Sequence, residues 1–435
     1  MIASNIGYRF LDIYNEREGT SFSIKELFEK VFVPQFFGYP KYMRSGGNAP
    51  LENPKFKKGR RPSDAERMER IQKTVAKIDS DPMGASGIGY PSGDVLATTS
   101  GQVTSTILPI SSDNVYASWV GGGFGVGVKG GYSLYLNHPD ILWDLYEGWS
   151  YYRGYLEEWP DLRPNQIDTW NGQWLAHRYN PRKFYAEAPL ANFDPFDVKL
   201  GVKELKTQSW VKVIFGLARK FPASSLTAYA FSLGQTNKTL GFIPLALPKI
   251  RKLIQLYKVL FGGHQYFEHA EIIEEIFAEK NGFQLACERG AIGTSALEPK
   301  FIRDLTYKHN PKIKYNPEDT YQIVSFQTYI IWIIAMLDKK ELLPFSQQIA
   351  GSLLAYGQSG TRGKTTQKRA VEKLMESKSA DAFLQELLPI VVNASAEQAV
   401  LFQELIAYVH DFSHEHFKRF LVLLKLAYII QEKQT

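Results

Sequence analysis

The residues best placed to do chemistry lie in Val115–Leu136, VYASWVGGGFGVGVKGGYSLYL, where glycine takes positions 121, 122, 123, 125, 127, 130 and 131. Glycine is costly in a strand and is kept where backbone must approach something closely or take positive φ. With Lys129 among them, Gly122, Gly123 and Gly125 read as a loop whose N–H groups and one cation can face an anion or a nucleic-acid groove. The competing reading is a hairpin tip or bulged strand pair with no ligand. Val115–Val120 and Tyr132–Leu136 read as β-like runs on either side. Gly125, Gly127 and Gly130 match GxGxxG, but a dinucleotide site needs a helix at the third glycine, and here a strand pattern follows.

Other patterns fail similar tests. Gly357–Thr365, GQSGTRGKT, has the flavour of a phosphate-binding P-loop, yet its first glycine is one residue too far out and a helix precedes it instead of a strand. A basic interhelical loop with Arg362 and Lys364 contacting phosphate suits it better. His410 and His414 stand one helical turn apart beside Asp411, Glu415 and His416, a spacing compatible with metal ligation, but no second ligand pair accompanies them. GASGIG and GQSGT lack the GxSxG elbow, and Cys287 has no convincing histidine partner. No catalytic constellation emerges, which favours a binding protein with no cofactor and no metal.

Asn165–Trp174, NQIDTWNGQW, concentrates Asn165, Gln166, Asn171 and Gln173 around two tryptophans. Such amides can read base edges while indoles stack. They can equally form a buried polar network satisfied by the indole N–H groups. Lys57, Lys58, Arg60 and Arg61 surround Phe56 in a proline-bounded loop, suited to phosphate contact plus stacking or to plain solvation.

The charge distribution is the strongest signal. The net charge is +6, and between Glu204 and Glu268 there is no Asp or Glu but nine cations: Lys206, Lys212, Arg219, Lys220, Lys238, Lys249, Arg251, Lys252 and Lys258. A surface of that kind self-repels unless an anion covers it, and nucleic-acid phosphate is the usual candidate.

The elements that must position these residues follow from periodicity. The fold class is α+β: a mixed N-terminal region with a small antiparallel β part and a Gly-rich hairpin, a mostly helical middle, and a C-terminal helical bundle. Ser21 or Ser23, and Ser63, read as helix caps, and Ile141–Glu158 as an aromatic helix. Residues 84–136 read as β-rich, and 199–262 as helical pieces broken at prolines. From Asp319 six helices are expected, at 319–337, 341–356, 365–378, 380–392, 396–412 and 414–431. Two domains result, 1–318 binding nucleic acid and 319–435 a helical bundle. At 435 residues and 44% hydrophobic, the chain can bury a large core. One cysteine excludes a disulfide framework and fits a reducing cytoplasm. The N-terminus is too polar for a signal peptide, and the apolar run Ile323–Leu337 reads as a buried helix, shorter than a membrane span needs.

In layout, a large basic chain with no catalytic constellation, a loop-rich mixed N-terminal part and a compact C-terminal bundle resembles the large subunit of type I CRISPR effector (Cascade) complexes. The resemblance covers the whole chain and rests on no specific motif. It implies that the N-terminal part reads a protospacer-adjacent motif in duplex DNA and stabilises the R-loop. Lys129 and the glycines would then enter a groove, and Asn165, Gln166, Asn171 and Gln173 would contact or wedge bases. Lys249, Arg251 and Lys252 would hold the guide RNA or the displaced strand. It implies guide RNA, target DNA and other subunits as partners, no membrane, and a bundle that internal initiation at Met336 can also supply. The alternative is a defence-associated, metal-dependent nuclease or hydrolase using His410, His414 and Asp411. A third class is a membrane-associated scaffold using Ile323–Leu337.

Overall fold

Glycine decides how the first two long helices meet. In the computed structural model, helix Ile2–Glu18 lies against helix Ser112–Gly122. A Cβ on Gly7 would fall 2.0 Å from the carbonyl oxygen of Ala117, and one on Gly121 would fall 1.8 Å from that of Ala3. Only hydrogen fits at either crossing. The structure describes residues 1–44, 63–91, 93, 103–106, 109–232, 239–277, 282–288, 290–299, 315–359 and 364–434.

Val115–Val120 is therefore helical, correcting the β-like reading. Ser111 caps the helix by accepting from the Asn114 N–H at 3.2 Å, and every residue from Val115 to Gly122 is buried. A short apolar run buried on all sides has no periodicity to separate helix from strand. The expected β alternations at 94–98 and 102–108 lie largely outside the described residues.

The chain forms two units. Unit 1 comprises Met1–Pro248 with Asn281–Ile292, and unit 2 comprises Lys249–Lys280 with Gly293–Thr435. That division falls elsewhere than at residue 318, because helices Leu247–Phe261 and Gly263–Phe277 belong largely or wholly with the C-terminal helices.

The core of unit 1 is aromatic. Trp149, on helix Pro139–Glu158, has its ring centroid 4.5 Å from that of Phe124 and 4.7 Å from that of Phe36. Phe36 in turn stacks on Phe32 at 4.0 Å. Rings that large, fully buried and tilted against one another, supply much of the stabilisation. Arg153 of the same helix is buried and donates to the carbonyls of Gln35, Phe36 and Lys41, which tie down the end of the helical stretch at Phe37.

Beside this core stands a four-stranded antiparallel sheet in the order β1 (Val126–Val128), β2 (Tyr132–Leu136), β5 (Leu226–Ser232) and β6 (Thr239–Leu245). A separate hairpin pairs β3 (Phe196–Lys199) with β4 (Val202–Leu205). Residues expected to be helical at 199–262 thus include strands β4, β5 and β6 and the last residue of β3, as well as helices Trp210–Lys220 and Leu247–Phe261. The breakers that suggested helix ends have sheet roles instead. Pro244 lies on β6, at the end of the strand order, where a missing ladder donor is tolerated. Gly241 takes φ +85 just before the register shift opposite Ala230 and Phe231. Leu134, Leu136, Ala228, Ala230, Ile243 and Leu245 point to the core, all under 9% exposed.

Unit 2 is helical, with Thr320–Leu337, Leu342–Gln358, Lys364–Met375, Ala380–Val392, Ala396–Asp411 and His414–Gln434 close to their expected bounds. Ser379 and Ser395 cap two of them. Helix Thr320–Leu337 is long and apolar enough to cross a membrane, and 61% of it is buried within the protein. Its Trp332 indole donates to the Thr294 carbonyl at 2.9 Å, and the Arg419 guanidinium lies over the ring.

Candidate nucleic-acid interface

The glycine run is built around helix Ile167–Arg178, whose first turns carry Asp168 and Asn171 into it. Asn171 is fully buried, and its Nδ2 donates to the carbonyls of Gly123 and Gly125, both at 2.8 Å. Asp168 accepts from Ser133 Oγ at 3.0 Å and pairs with Arg44 at 3.3 Å, and Arg44 also donates to the Gly122 carbonyl. Burial pushes the Asp168 carboxyl up from its ordinary value, while Arg44 and Ser133 pull it down.

These contacts explain the glycines without a ligand. A Cβ on Gly125 would lie 1.8 Å from Asp168 Oδ1, and one on Gly123 would lie 2.8 Å from the Phe36 ring. Gly172 meets the backbone of Gly127, where a Cβ would be 2.1 Å from the carbonyl oxygen. Gly122, Gly123 and Gly125 are therefore buried packing positions, a correction to the open-cradle reading. Gly130 and Gly131, at φ +100 and +76, form the tip between β1 and β2. Lys129 is exposed at that tip, and its N–H donates to the Gln208 carbonyl at 2.8 Å.

The amide-rich stretch is a buried polar network. Gln173 Nε2 donates to the Lys206 carbonyl at 2.6 Å, and its Oε1 accepts from Gln208 at 2.9 Å. Gln166 Oε1 accepts from the Leu205 N–H at 3.2 Å. Both indoles donate inward, Trp170 to Gly148 and Trp174 to Asp144. Asn171, Gln173 and Gln166 are thus committed to backbone in this structure, which corrects their assignment to base edges. Asn165 alone is exposed, with φ 63 and its N–H on the Tyr42 carbonyl.

The cationic interval is neutralised more than its sequence suggests. Lys206 pairs with Asp194 at 3.1 Å, and Lys252 pairs with Asp338. Arg219 Nε donates to the Tyr179 carbonyl at 3.2 Å. The counter-ions come from outside the interval, so a linear run without acids is not a surface without acids. Lys57, Lys58, Arg60, Arg61, Lys238 and Arg362 lie outside the described residues, as does the side chain of Lys364, which opens helix Lys364–Met375.

One part keeps its surplus charge. On helix Leu247–Phe261, Lys249 is exposed, and Arg251 and Lys258 stand two helical turns apart on the same side. Among the described residues neither Arg251 nor Lys258 has an ion pair, and the buried Nε of Arg251 has no hydrogen-bond partner. Lys258 instead lies over the rings of Tyr266 at 5.0 Å and Phe267 at 4.6 Å. Burial first, and then the Arg251 charge, hold its ammonium below the usual lysine range. A lysine held down by a neighbouring cation, with no carboxylate against either among the described residues, forms a seat for an anion.

No protein-family model, curated protein or solved structure matches the chain.

The histidines do not assemble. His410 lies near the end of helix Ala396–Asp411, while His414 begins helix His414–Gln434 across a break, so the one-turn spacing does not lie on one helix. His264 pairs with Glu268 at 3.1 Å. Among the described residues no three His, Cys, Asp or Glu side chains gather as metal ligands.

Proposed function

We propose that this protein is a non-catalytic nucleic-acid-binding subunit, working as the large subunit of a type I CRISPR effector complex with guide RNA, target DNA and other protein subunits as partners. One observation carries the nucleic-acid part: Arg251 and Lys258 share one side of a helix with no carboxylate pairing them among the described residues. Phosphate is the chemistry that relieves such a pair, because each neutralised phosphate releases counter-ions. The CRISPR assignment is supported by the layout of the chain: an α+β N-terminal unit followed by a helical one.

The test is binding of labelled RNA and DNA by the full chain across a salt series. Affinity should fall steeply between about 50 and 200 mM salt. Arg251→Gln with Lys258→Gln should weaken binding uniformly across sequences and flatten the salt slope by about 2. An unchanged slope sinks the phosphate seat. Recovery of the tagged chain from cells carrying a CRISPR locus, without a short RNA and repeated backbone subunits, sinks the complex.

A further inference from the structure

One face of the four-stranded sheet, covered by helix Ile167–Arg178 at β1 and β2 and open toward β6, carries a strip of rings that the phosphate seat does not use. Tyr135 on β2 stands directly opposite Tyr229 on β5, and Tyr229 opposite Phe242 on β6. Phe231 lies two residues along β5, on the same face. The rings are contiguous: Tyr135 to Phe231 is 4.8 Å, Phe231 to Tyr229 is 6.2 Å, and Tyr229 to Phe242 is 5.2 Å between centroids. Exposure rises toward the edge of the sheet, from 5% at Tyr135 to 64% at Phe242. The intervening positions on the same strands are core, so the alternation that fills one face with aliphatics leaves rings on the other.

The charge around the strip narrows what can cover it. None of the four strands contains an Asp or Glu. Asp168, which acts on the buried Tyr135, is already engaged by Arg44 and Ser133. The remaining outward residues of β5 and β6 include Thr227 and Pro244, and the paired outward positions hold no Leu, Ile or Val. A partner built on aliphatic side chains would find few to interlock with. A nucleobase is flat and uncharged, and the phosphate attached to it meets no acid on these four strands. Rings on a sheet face are a general means of stacking unpaired bases.

We infer that this face binds unpaired bases of a single-stranded nucleic acid by stacking, with Phe242, Tyr229 and Phe231 as the platform. The site lies in unit 1 and is independent of the Arg251 and Lys258 seat, so the two can fail separately.

The experiment measures binding of fluorescent oligo(dT) and oligo(rU), and of a duplex of the same length, to the full chain by anisotropy. Phe242→Ala should lower single-strand affinity about tenfold, the effect of losing one stacked base. It should leave the salt slope unchanged, and Phe242→Trp should restore binding. Phe242 is mostly exposed, so the variant keeps its fold, which circular dichroism checks. Tyr229→Ala, read the same way, is the second variant. Equal single-strand binding by Phe242→Ala and the parent overturns the inference. So does an equal loss for duplex, or a change in self-association by sedimentation, which would make the face a protein contact.

Discussion

Replacing Asn171 by alanine separates the two readings of the amide-rich stretch. The side chain donates two bonds of 2.8 Å to the carbonyls of Gly123 and Gly125, and no part of it reaches solvent. Asn171→Ala leaves two buried carbonyls without donors, at about 1–3 kcal/mol each. The expected loss is about 2–6 kcal/mol, a large fraction of a domain's stability. With a urea dependence of about 3 kcal/mol per molar for a unit of this size, a loss near 3 kcal/mol lowers the midpoint by about 1 M. Tryptophan fluorescence is the natural probe, since every tryptophan except Trp332 lies in unit 1. Asn165→Ala, at an exposed position, is the control and should change stability by less than about 0.5 kcal/mol. If Asn171→Ala unfolds at the parental midpoint while shifting base preference, the amide is free in solution and holds neither glycine carbonyl.

Gly125→Ala should cost about 3 kcal/mol or more, because its Cβ would overlap Asp168 Oδ1, and shortening that residue with Asp168→Gly in the double variant should recover part of the loss in the same urea titration. Arg153→Met removes the donors of three carbonyl groups, one buried and two partly buried, and should destabilise unit 1 by about 2 kcal/mol or more in thermal melts. Lys252→Ala should change stability by less than about 1 kcal/mol, since its pair with Asp338 is exposed, and should weaken nucleic-acid binding less than Arg251→Gln does. The Cys287 thiol is pushed up to about 12 by burial and then by Glu288. Folded, it keeps its proton where the unfolded chain ionises, so its contribution to stability falls as pH rises from about 9 toward 12. Urea midpoints on either side of pH 9 should show a drop that Cys287→Ala reduces, and folded protein should resist alkylation that denaturant permits.

Periodicity and caps sufficed for the second half of the chain. The six helices from Thr320 onward need only apolar stripes, serine caps and short loops, all local features of the sequence. The same local logic found the cap Ser63 and strand Tyr132–Leu136, and narrowed the first cap to Ser21 or Ser23, of which Ser23 serves. What the chain alone could not convey was partnership. Val115–Val120 is buried on every side, so its pattern is silent between helix and strand until helix Ile2–Glu18 packs on it through Gly7 and Gly121. Strands β5 and β6 owe their form to pairing with β2 and with each other, a non-local choice that overrode the breakers at Gly241 and Pro244. Asp194 and Asp338 neutralise lysines of an interval that holds no acid, because charges meet in space and not along the chain. Composition therefore determined that cations are in excess. Only the tertiary structure decided that Arg251 and Lys258 keep that excess, since packing left no carboxylate against them among the described residues.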